Sequence, residues 1–125
     1  MHNKKEAGMR TLVAALMVMT AFPALADEAD DARRLAVSGR DDYWNCLARE
    51  YPRDSNKNMQ EQEFAALIAA ACASERQNFR VALVDYLGMQ PGSDAGVNMT
   101  TANNAIALAQ KDIITAFARR KAAAK

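Results

Sequence analysis

Residues 59–88 read MQEQEFAALIAAACASERQNFRVALVDYLG, and this stretch decides the fold class. Phe64, Leu67, Ile68, Ala71, Cys72, Phe79, Leu83, Tyr86 and Leu87 fall at the three-or-four spacing of a helix with one buried face. The spacing predicts a helix from about Met59 to Leu87. Asn58 is its candidate N-cap, Glu61 holds the capping-box position, and Gly88 suits a left-handed closing residue.

One amphipathic helix needs partners, and the flanking sequence supplies two. Upstream, a helix is expected from about Glu28 to Glu50. Its stripe is Ala32, Ala36, Gly39, Tyr43, Cys46 and Glu50, widened by Leu35 and Leu47. Ser38-Gly39 is its weak point, where Ser38 and Asp41 could cap a second start, and Pro52 ends it. Arg53 to Asn58 reads as a polar connection. Downstream, Gln90 to Gly96 is the clearest loop. A third helix follows from Thr100 or Thr101 to Lys121, burying Ala102, Ala105, Ile106, Ala109, Ile113, Ala116 and Phe117. With strand signals absent, the expected fold is all-α, a small antiparallel three-helix bundle.

The beginning of the chain has a different character. Lys4, Lys5 and Arg10 precede an uncharged run, Thr11 to Phe22, which Pro23 and Ala24-Leu25-Ala26 follow. Basic end, apolar centre and small-x-small is the secretory pattern. Its 12 residues are short of the ~20 that span a bilayer. Residues 1–26 are therefore expected to be a cleaved signal peptide, cut between Ala26 and Asp27 with Ala24 the other inspected position. Residues 27–125 form one helical domain, periplasmic or secreted. Met9 is a second possible start, because Met9-Arg10 alone completes a signal.

Cleavage changes the chemistry available. Losing Lys4, Lys5, Arg10 and Glu6 leaves 13 basic and 14 acidic residues, which gives no electrostatic case for nucleic acid or an anionic membrane. The one histidine, His2, is lost as well. No histidine-based catalytic or zinc site is then possible, and neither a phosphate loop nor a Cys-x-x-Cys occurs. The expectation is no cofactor, no metal, no catalytic residues and no stable membrane insertion.

Cys46 and Cys72 are the only cysteines. On inward faces of neighbouring helices in an oxidising compartment, they are expected to form a disulfide. Cys46 lies about 6 Å from the expected end of its helix and Cys72 about 20 Å into the next, so a tight hairpin would not align them. The second helix must overshoot the first, begin nearer Glu61 to Glu63, or cross it at an angle.

Other candidates read more plainly. Asp41-Asp42 and Glu61/Glu63 diverge on their helices and read as solvated faces. Glu75, Arg76 and Arg80 suggest a local ion pair, and Arg119-Arg120-Lys121 suits a helix C-terminus. Tyr43 and Trp44 are the candidate partner-contact pair, Tyr43 on the buried stripe and Trp44 beside it.

At Tyr43-Trp44-Asn45-Cys46-Leu47 and Ala71-Cys72-Ala73-Ser74-Glu75-Arg76 the chain resembles small exported two-cysteine helical proteins of proteobacteria. The resemblance covers about residues 40 to 87. It implies a signal peptide and two cysteine-bearing helices, and it transfers no activity. Trp44-Asn45-Cys46 and Cys72 to Phe79 also look similar to periplasmic acid-stress chaperones, whose cysteines lie much further apart. The expected function is a non-enzymatic exported protein acting by contact with an envelope protein. The alternative is an acid-stress chaperone-like protein that exposes apolar surface when acid protonates its carboxylates.

Overall fold

A computed structural model describes residues 26–124 of the chain. The described residues form four α-helices and one short 3-10 turn, with no strand among them. Helix α1 covers 26–48, α2 Glu61–Ala70, α3 Ala73–Gly88 and α4 Ala95–Ala123, and the 3-10 turn is Asp54–Asn56. The chain divides into two compact units, Met1–Asp31 and Ala32–Lys125. Of the first, residues 26–31 are described and are helical. The expected signal lies outside the described residues, Ala24 included. Only its last residue, Ala26, is seen, helical and exposed like Asp27.

The second unit is a helical bundle, as the apolar periodicity predicts. Ala32, Ala36, Tyr43 and Leu47 are buried on α1, Phe64 and Ile68 on α2, and Phe79 on α3. Ala102, Ile106, Ala109, Ile113 and Phe117 are buried on α4. Phe64 stacks on Phe117 with centroids 3.9 Å apart, and Tyr43 lies tilted against Phe79 at 6.4 Å. Helix α4, about 43 Å long at 1.5 Å per residue, is the common wall against which both α2 and α3 pack.

Several boundaries differ from the sequence expectation. Helix α1 is unbroken at Ser38-Gly39. Glycine stands there for another reason: it is buried, and a Cβ on it would lie 3.0 Å from the Phe79 Cα. The backbones of α1 and α3 meet at that point, and only a residue without a side chain permits it. Leu35, expected to widen the buried stripe, is 65% exposed.

The single helix expected over 59–87 is two helices. Ala71 is extended, and Cys72 adopts φ 56° and ψ 45°, the only positive-φ non-glycine among the described residues. An alanine-rich segment without glycine or proline carries no local reason to break. Tertiary contacts supply one: α2 is held by the Phe64–Phe117 stack and α3 by the Gly39–Phe79 contact. The Arg76 guanidinium donates to the Ala69 carbonyl, serving one of the α2 acceptors that the break leaves open. The expected local ion pair is therefore not what Arg76 does. Arg80 instead donates to Gln77 Oε1 at 2.6 Å and to Asn103 Oδ1 at 3.1 Å, linking α3 to α4.

Two helix starts also move. The N-cap of α2 is Gln60, with no side-chain capping bond, in place of Asn58. Helix α4 begins at Ala95, ahead of the expected Thr100, because the Asp94 side chain accepts from the Val97 N–H at 2.9 Å. Gly88 stays helical, and the left-handed glycine is Gly92, with φ +71° after Pro91. The Ser93 N–H donates to the Gln90 carbonyl across that turn at 3.3 Å, the type II arrangement that Pro-Gly favours.

Candidate functional site

Cys46 and Cys72 are joined, with Sγ atoms 2.00 Å apart and Cα atoms 6.2 Å apart, so the expected disulfide is present. Its position sets the register of α1 against α3. Seven residues before Cys46 is Gly39, and seven residues after Cys72 is Phe79, the other point where the two helices touch. Two contacts two turns apart along an antiparallel pair fix the sliding of one helix on the other.

That register also answers the alignment problem raised by the sequence. Helix α1 ends two residues beyond Cys46, the next helix begins at Glu61, one of the expected solutions, and the break sets Cys72 at the start of α3 in place of the interior of one long helix. The connection over residues 49–60 packs Tyr51 and Met59 on the core. Buried Asn56 pins this connection, its Nδ2 donating to the Glu50 carbonyl at 2.9 Å and to Glu50 Oε2 at 3.2 Å.

Glu75 lies in the first turn of α3, beside the bridge. One of its carboxylate oxygens and both sulfurs lie within 4.8 Å of one another. Sulfurs bonded to each other offer no thiolate, so the oxidised group is not a metal-binding set. Asp41 pairs with Arg40 at 3.1 Å on the surface, and Asp42, Glu61 and Glu63 are exposed, matching the solvated faces expected of them.

The aromatic pair separates into two environments. Tyr43 has no exposed surface, and its hydroxyl accepts from Gln110 Nε2 at 3.0 Å. As folded it is a core residue, which removes it from the partner-contact pair. Trp44 is partly exposed and packs on the core edge, with Nε1 donating to Asp112 Oδ2 at 3.1 Å. That bond spends its one polar handle inside the molecule.

Two of the exposed large apolar side chains of the second unit, Leu35 and Val81, share one groove. A groove of about 410 Å³ runs between α1 and α3. Leu35 and Val81 line it, 65% and 48% exposed, and Asp42 and Asp85 bring acid to the same groove. Reading the sequence missed this feature because Leu35 was assigned to the core. Its offset of one residue from Ala36, on the half of α1 whose buried stripe is Ala32, Ala36 and Gly39, was the available signal.

The chain matches no known family model, no curated protein and no solved structure.

Proposed function

We propose that the chain is an exported helical protein, periplasmic or secreted, whose stapled domain acts by contact with a protein partner in the cell envelope. The secretory pattern of residues 1–26 and a disulfide between the only two cysteines support export. Among the described residues no helix is long and apolar enough to cross a membrane. The likeness of residues 40 to 87 to exported two-cysteine helical proteins of proteobacteria belongs to the same reading.

The observation that carries the contact role is the α1–α3 groove, where Leu35 and Val81 remain exposed beside Asp42 and Asp85. An apolar floor with an acidic edge suits a partner surface presenting an apolar side chain flanked by basic ones. The disulfide and the Gly39 contact hold both walls in register, so little ordering is lost on binding.

Site-specific photocrosslinkers placed in living cells test this reading. Positions 35 and 81 should capture the same envelope protein, and position 111 on α4 should not. Asp42→Lys with Asp85→Lys should abolish capture at position 35. Equal capture from all three positions, or capture indifferent to the charge reversal, removes the groove from the function. The N-terminus of the protein recovered from cells should be Asp27.

A further inference from the structure

We propose that a second cavity, where the connection meets the last turns of α4, binds a small single-ring organic anion. This inference stands apart from the contact role, because it uses neither α1 residues nor the α1–α3 groove.

The cavity has a volume of about 220 Å³. That exceeds the roughly 150 Å³ known to hold benzene and lies below the ~300 Å³ where drug-sized pockets begin. One ring with one small polar group is the matching size. Tyr51 and Pro52 from the connection and Phe117 from α4 supply apolar wall. Phe117 is held in place by its stack on Phe64.

The charge around this apolar wall is one-sided. Lys57, Arg120 and Lys121 line the cavity against a single acid, Asp54. Lys121 is positioned by two contacts: its ammonium donates to the Met59 carbonyl and lies 5.9 Å from the Phe117 ring centroid. Among the described residues, neither Lys57 nor Arg120 joins an ion pair or a side-chain hydrogen bond. Basic residues in the last turn of a helix ordinarily complement its dipole, which accounts for Arg120 and Lys121. It does not account for Lys57, which comes from a different element and converges on the same cavity. Three cations lining one cavity against a single acid give it a positive potential that favours an anion. The planar guanidinium of Arg120 suits a carboxylate in two-point contact.

The two sources of charge lie more than 60 residues apart in the sequence. The Asn56–Glu50 hydrogen bonds fix the fold of the connection, and the bond from the Lys121 ammonium to the Met59 carbonyl ties it to α4. Lys57 and Arg120 take part in neither link, so both cations are left to a ligand.

Titration of the protein purified from cells, followed by amide NMR, tests the proposal with three probes: benzoate, its neutral analogue benzamide, and acetate. Benzoate should shift the amides of Tyr51, Lys57 and the last turns of α4. Benzamide, lacking charge, and acetate, lacking the ring, should each bind about tenfold more weakly or worse, in line with the loss of one charge-assisted bond or one buried ring. Lys57→Gln and Arg120→Gln are exposed changes that leave the fold intact, and each should weaken benzoate about tenfold. Equal binding of benzamide would reduce the cavity to an apolar dent. Equal binding of acetate would reduce it to a surface charge cluster, and benzoate shifts centred elsewhere would remove the site.

Discussion

Gly39 holds its place because of a neighbour's backbone, although its own sequence neighbourhood suggested a kink. A methyl group there meets the Phe79 Cα at 3.0 Å, and a backbone atom cannot rotate aside. Gly39→Ala gains about 1 kcal/mol of helix propensity and loses about 2–3 to overpacking. A net destabilisation of about 1–2 kcal/mol is expected by urea titration, with the helical circular dichroism unchanged. Asn56 makes the complementary case, a buried polar side chain serving two acceptors of Glu50. Asn56→Ala leaves the Glu50 carbonyl without that donor and should cost about 1–2 kcal/mol. It should also raise amide exchange across residues 51–58 more than in α1. The two residues differ in legibility: no pattern around Asn56 marks it as buried, because its partner lies in a turn the local sequence does not specify.

At the scale of elements, the ends of helices depend on single side chains, and their interiors depend on packing. Asp94→Ala removes the bond to the Val97 N–H and should cost about 1 kcal/mol, fraying α4 back toward Thr100. Amide exchange at residues 95–99 would report it. The junction between α2 and α3 carries the sharper question. Cys72 holds a left-handed backbone that costs a non-glycine residue about 1–2 kcal/mol. The α2 contacts with α4 are independent of the disulfide, so the break should persist without the bridge. With Cys46→Ala as background, Cys72→Gly should therefore be more stable than Cys72→Ala by about 1 kcal/mol. If the two helices instead fuse when the bridge is gone, alanine wins by about the same amount. The sign of the difference, read from thermal melts of the two variants, decides between these outcomes.

For the whole molecule, the disulfide closes a loop with a sequence separation of 26. Chain-entropy arguments assign such a loop about 3.5 kcal/mol, against roughly 5–10 kcal/mol for an entire domain of this size. Removing both cysteines should lower the melting temperature by about 15–25 °C at near-native helical content. The protein recovered from cells should gain about 2 Da on treatment with a thiol reductant, one hydrogen atom (a proton and an electron) for each thiol freed. An unchanged mass would place the chain in a reducing compartment and take the envelope role with it.

The order of helices, their buried faces and the joining of Cys46 to Cys72 were present in the linear sequence, because apolar spacing and residue type act locally and repeat along each helix. Tertiary packing alone decided the break at Cys72, the close approach at Gly39 and the convergence of Lys57 and Arg120 on one cavity. Each of these depends on atoms brought together from distant parts of the chain. No local pattern encodes such distances, since they arise only when the packed helices settle their mutual register.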